Sequence, residues 1–220
     1  MKKLFALALI VCLLALTSAC QKQDYFNRVS QIRSEVFVGE SQTFLVKAYL
    51  ESREYPLQAD GFAGELKGFL IIKLTYKSGE NSLINDLSAD FSIDKQYSVT
   101  FAFKPDADAY VATTAIDQTP NDSVMTITVN YGNSHENATL NAVNDGAISY
   151  RKALDAVTNA KKSLLSALID SDADFEIMLR LIYEKPNLYY YVGIVETEYT
   201  TAYLINDKYE IIAEKRLKNQ

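Results

Sequence analysis

The stretch Asp174–Glu196, DFEIMLRLIYEKPNLYYYVGIVE, decides the fold. Phe175, Ile177, Leu179, Leu181 and Tyr183 alternate with Glu176, Met178, Arg180 and Ile182, a period of two that puts the first set on one side of a strand. Lys185-Pro186-Asn187 then turns the chain into LYYYVGIVE, a second run rich in aromatic and β-branched residues. Two further runs follow, YTTAYLI after Thr197-Glu198 and KYEIIAEKRL after Asn206-Asp207. Four short runs joined by tight turns predict an antiparallel meander.

Just upstream the periodicity changes. From Ser149 to Ile169, Leu154, Val157, Leu164, Leu165 and Leu168 recur near helical spacing, with Ala153, Ala156, Ala160 and Ala167 as strong helix formers. This predicts one long helix packed on one face of the four-stranded antiparallel sheet. Residues 149–216 resemble the PepSY-type modules of extracytoplasmic bacterial proteins, through YYYVGIV, AYLIND and YEIIAEK. The resemblance implies a binding or inhibitory role near the cell surface, as a regulator of an envelope protease or sensor.

Between Glu35 and Val143 the chain alternates short apolar runs with turn residues. TFLVKAYLE, GFLIIKLTY, ADFSID, YSVTFAF, AYVATTAI, SVMTITVNY and ATLNAV read as strands, separated by Asp60-Gly61, Ser78-Gly79, Pro105-Asp106, Pro120-Asn121-Asp122 and Gly132-Asn133. This spacing predicts an antiparallel β-sandwich of immunoglobulin-like architecture, although the chain has no Trp and lacks that family's cysteine hallmark. Asn144-Asp145-Gly146 breaks the pattern. The expected fold class is mostly β, α+β overall, with a sandwich domain over residues 35–146 and a helix-plus-sheet module over 147–220.

The N-terminus carries a different signal. Lys2 and Lys3 precede a continuous apolar segment, Leu4–Leu16, which is shorter than the roughly 20 residues a spanning helix needs. Its length and flanks predict a secretory signal peptide over residues 1–19. The segment ends in LTSAC, and residues 1–21 resemble the signal and lipobox of bacterial lipoproteins. The resemblance implies cleavage before Cys20 and a diacylglycerol thioether on its sulfur, which would hold the chain to the membrane by its lipid. Residues 20–34 are then expected to be the lipidated cysteine and a polar tether. Gln21 stands where an inner-membrane retention Asp would be, so the family pattern implies the outer membrane in a two-membrane host and the cell membrane otherwise. The protein is expected to work on the extracytoplasmic face. Cys12 would be discarded with the signal, so no intramolecular disulfide is expected.

Charge limits the partners. The chain has 22 basic and 28 acidic residues for a net charge of −6, and removal of Lys2 and Lys3 makes it two units more negative. Nucleic acid is an unfavourable partner for such a chain.

Residues that could carry chemistry are few. His135 is the one histidine, in a stretch, YGNSHENAT, that reads as a loop, and no G-x-S-x-G elbow occurs. The alternate aspartates Asp170, Asp172 and Asp174 in DSDAD match the first half of a calcium loop, but Phe175 and Leu181 stand where that loop needs Gly and Glu. They read as a polar turn, with a calcium site outside that template as the alternative. No other cofactor is expected. Asn121-Asp122-Ser123 and Asn137-Ala138-Thr139 match the glycosylation acceptor pattern, and in a bacterial chain they read as chance matches. Tyr189, Tyr191, Tyr199 and Tyr203 gather in the tail and form the candidate binding face, with cross-strand packing as the competing reading. The expected function is a non-enzymatic binding module for an envelope protein, peptide or glycan. An envelope hydrolase using a carboxylate-based mechanism is the alternative.

Overall fold

The computed structural model describes residues 24–56, 61, 63–78, 84–120, 122–144 and 146–219. The expected signal, the cut before Cys20, the lipid and Asn121 lie outside the described residues. The fold is mostly β and sandwich-like. Its strands are β1 (Val29–Glu40), β2 (Phe44–Glu54), β3 (Leu66–Tyr76), β4 (Ser88–Ser92), β5 (Gln96–Thr100), β6 (Ala102–Lys104) and β7 (Ala109–Ala115). They continue with β8 (Val124–Tyr131), β9 (Ser134–Ala142), β10 (Phe175–Glu184), β11 (Asn187–Glu196), β12 (Tyr199–Ile205) and β13 (Ile211–Lys218). Two helices, α1 (Tyr150–Ala160) and α2 (Lys162–Asp170), interrupt the series. Among the described residues no helix is long and apolar enough to cross a membrane.

All the described strands join one sheet in the order β13-β12-β11-β10-β1-β2-β3-β7-β6, with β9, β8, β4 and β5 branching from β1. The branch folds over β2, β3 and β7 and encloses the first hydrophobic cluster, which includes Phe44, Val46, Leu70, Ile72, Ile127 and Leu140. The ends of this layer, β5 and β6, are consecutive in the chain and separated only by the buried Phe101. The single run YSVTFAF is therefore two strands meeting at a corner.

Strand β1 organises the molecule. The polar tether expected over residues 20–34 is corrected here, because Tyr25–Arg28 form a 3-10 turn and Val29 begins the longest strand. One edge of β1 pairs with β2 along most of its length. Its other edge pairs first with β10, in parallel through Val29–Arg33, and then with β9 through Phe37–Glu40. A β-bulge between Arg33 and Glu35 marks the change of neighbour. Beyond the bulge Val36 enters the second hydrophobic cluster and Phe37 the first. β10–β13 are accordingly not a separate sheet but the continuation of one that crosses the whole molecule.

The expected long helix is two. The break falls at Lys161, whose Nζ donates to Glu214 Oε2 at 2.6 Å and lies 5.3 Å from the Tyr203 ring centroid. Ala153, Leu154 and Val157 of α1 and Leu165 and Leu168 of α2 join Ile177, Leu179, Tyr190, Val192 and Tyr203 in the second cluster. Burial of each such Leu, Ile or Val contributes roughly 1.5 to 3 kcal/mol. The stretch expected as a loop around His135 is also corrected. Its turn is confined to Gly132-Asn133, and His135 is an exposed residue of β9 opposite Asn130.

A carboxylate clamps the far end of the sandwich. Glu136 on β9 accepts hydrogen bonds from Thr43 N–H at 2.8 Å and Thr43 Oγ1 at 2.6 Å, and from the Tyr131 hydroxyl. Burial acts to raise its pKa, but the hydrogen bonds from Thr43, Tyr131 and Ser41 outweigh burial and hold it at about 2, against 4.5 ordinarily. Because the folded value is depressed, this stabilisation is complete above pH 4.5 and fades as pH falls toward 2. Glu136→Gln is expected to cost about 1 to 2 kcal/mol at pH 7, allowing for solvent screening at this partly exposed group. In urea unfolding the cost at pH 3 should be less than half that at pH 7, and equal costs would contradict the clamp.

Candidate binding face

The sheet face turned away from α1 carries a polar pattern. On β10, Leu179 and Leu181 point into the second cluster, so Met178 and Arg180 between them point the other way. Cα pairing aligns Phe69, Glu51, Arg33, Arg180, Tyr191 and Leu204 in one row across β3, β2, β1, β10, β11 and β12. A second row beside it holds Arg53, Gln31, Met178 and Gly193, with Lys67 and Lys215 at its ends. None of these residues belongs to either hydrophobic cluster. At about 4.8 Å between strands, six aligned strands make a platform roughly 24 Å across.

Three arginines meet on this platform. Arg33 Nη2 donates to Glu51 Oε2 at 3.0 Å, and Arg53 Nη1 lies 3.6 Å from Glu51 Oε1, with the Glu51 side chain only 1 % exposed. Arg180 instead forks onto a neutral group, donating from Nε and Nη2 to Gln31 Oε1 at 2.8 and 2.6 Å. Each guanidinium is laid against an aromatic ring: Arg33 on Tyr49 and Arg53 on Phe69, both at 4.4 Å from the centroid, and Arg180 near Tyr191 at 5.7 Å. Such stacking holds the cation while leaving its in-plane N–H groups to bind oxyanions. The Nε–H groups of Arg33 and Arg53 are buried and have no hydrogen-bond partner. Burial and then the Arg33 charge lower the pKa of Arg180, opposed by Glu51 and Tyr191.

The four candidate tyrosines divide between two faces. Tyr191 stands in the first row, and its ring folds over Gly193, where a Cβ would lie 2.7 Å from the ring. Tyr189 shares its face and lines a cleft of about 370 Å³ with Leu188, Asn206 and Ile212 at the β10–β11 turn. Tyr203 is instead core, and burial followed by Glu214 pushes its hydroxyl up to about 12. Tyr199 follows Tyr203 in alternation and is covered by the Arg216 guanidinium at 4.4 Å. Asp170, Asp172 and Asp174 are exposed around the turn before β10, and among the described residues no three acidic, His or Cys side chains gather to hold a metal.

Tyr190 completes the alternation as a wholly buried residue whose hydroxyl lacks a hydrogen-bond partner. Tyr190→Phe is therefore expected to stabilise the fold by about 1 kcal/mol, since it removes a buried polar atom without opening a cavity. A lower thermal midpoint would contradict that placement.

The arginines escaped sequence reading, although a signal was present. QIR at 31–33, ESR at 51–53 and MLR at 178–180 each put Arg two positions after Gln, Glu or Met, on the same side of a strand. The chain matches no family model, and no significant match was found to a curated protein or to a solved structure.

Proposed function

We propose that this protein is a lipid-anchored, extracytoplasmic, non-enzymatic binding module whose working surface is the arginine and tyrosine face of β2, β1, β10 and β11. The observation that carries this reading is the cluster of three arginines from two adjacent rows, each beside an aromatic ring, on a sheet face outside both hydrophobic clusters. Mutually repelling cations gathered around one carboxylate are costly to keep, and a platform of Arg and Tyr has the composition of binding hot spots. In this reading an immunoglobulin-like sandwich acts as the spacer, and helices packed on the four-stranded meander β10–β13 support the binding half. The membrane attachment rests on LTSAC and the lipid expected at Cys20.

The test is site-directed photo-crosslinking in the host envelope, with the crosslinker at Ala202, which stands between Gly193 and Lys215 in the second row of the platform, or at the exposed Thr126 on β8. A partner captured from Ala202, absent from Thr126 and lost in Arg180→Gln supports the reading. Equal capture from both positions, or none, overturns it. Cys20→Ser should release the protein from the membrane fraction, and its retention there would overturn the lipid anchor.

A further inference from the structure

We infer that the platform recognises an acidic segment of a partner protein, through carboxylates bound by Arg33, Arg53 and Arg180. This deepens the binding reading above and depends on it. The first support is charge. Lys67, Arg53, Arg33, Arg180 and Lys215 stand in the two rows against Glu51 alone. Glu176 and Glu184 flank the rows along β10, on either side of Met178–Ile182, and Asp174 lies beside Glu176 at the rim. A chain of net charge −6 thus concentrates cations on one face, the arrangement that complements an anionic partner.

The second support is the geometry of the donors. A guanidinium presents a planar fork that matches a carboxylate with two parallel hydrogen bonds. Arg180 already makes that fork with the neutral Gln31 oxygen, so an arriving carboxylate can exchange for Gln31 without breaking an ion pair. The buried Nε–H groups of Arg33 and Arg53 are further donors in the same cluster.

The arrangement also discriminates among polyanions. Sugars stack on free aromatic faces, yet the Tyr49 and Phe69 rings are covered by Arg33 and Arg53. Lipid headgroups and nucleic acids are met by long cations projecting from a basic surface. Here the Arg33 side chain is only 21 % exposed and lies flat, on a protein whose overall charge repels both. Recessed, preorganised forks suit short acidic side chains brought in by a peptide.

The experiment measures fluorescence anisotropy of a labelled oligoglutamate peptide with the purified chain, against a serine-glycine peptide, an oligouronate and phosphatidylglycerol vesicles. Oligoglutamate should bind, weaken as salt rises, and lose roughly tenfold or more in affinity in Arg180→Gln. Arg180→Lys, which keeps the charge, should recover only part of that loss. Circular dichroism and unfolding midpoints establish that both variants fold. Tighter Arg180-dependent binding of the oligouronate or the vesicles overturns the acidic-peptide inference while leaving the binding face in place. Absence of binding to every anion overturns the inference alone if Ala202 still crosslinks a partner, and overturns the functional reading as well if it does not. Binding unchanged in Arg180→Gln overturns the assignment to these arginines.

Discussion

Replacing Glu51 with Gln is expected to lower stability by about 3 kcal/mol, the low end of the cost of breaking a buried ion pair from one side. For a chain of this size that is roughly 6 to 12 °C in thermal midpoint. Glu51 is the one carboxylate between Arg33 and Arg53, and its side chain is 1 % exposed. Gln fills the same space but cannot neutralise either cation, so the two guanidinium groups then face each other and Arg180 across a poorly solvated surface. Two features separate this cause from ordinary loss of packing. Raising the salt concentration should recover part of the midpoint, because screening weakens the repulsion. Added oligoglutamate should raise the midpoint further, because the arginines are released from an internal competitor. An unchanged midpoint, or a loss indifferent to salt, would show that the arginines do not depend on Glu51 for their balance.

Where the pattern of apolar residues was simple, the elements were legible before any coordinates. The run of β8 alternates cleanly and those of β2, β3 and β7 in part, because one face packs on the first cluster, and the runs of β10 to β12 were readable because one face of theirs packs on the second. β1 was hidden by its polar outward positions and its bulge. Its outward positions Gln31 and Arg33 read as polar tether, and the bulge before Glu35 shifts the phase so that no single period covers Val29 to Gly39. The arginine cluster was illegible for a further reason. Arg33, Arg53 and Arg180 come from three strands, and only the parallel pairing of β1 with β10, which joins residues almost 150 apart, brings the last beside the first. Local periodicity predicts which way a side chain points but not which strand it meets. Tyr189 and Tyr191 were placed on a common face by alternation alone, whereas the core position of Tyr203 depended on where α1 and α2 pack.

Gly39→Ala is expected to destabilise the fold by about 3 kcal/mol, at the upper end of overpacking effects. Gly39 pairs with Leu140 on β9 and with Val46 on β2, where β1 closes the sandwich. A Cβ there would collide with the Thr139 carbonyl oxygen and lie 2.7 Å from Leu140 Cδ2. The nearest atom is backbone, held in the β1–β9 ladder, so no rotamer change relieves the contact and the strands must separate. Leu140 is wholly buried, and its displacement passes the strain into the first cluster. Gly193→Ala is the matched control: its nearest contacts are the far end of the Tyr191 ring, which can swing away, so the cost should stay below about 1 kcal/mol while the ring leaves its place beside Arg180. Urea unfolding reads both costs, and hydrogen exchange at the Leu140 amide should rise in Gly39→Ala alone. A change within about 0.5 kcal/mol for Gly39→Ala would mean that β1 and β9 do not approach this closely, and the closed sandwich would have to be redrawn with β1 paired to β2 and β10 only.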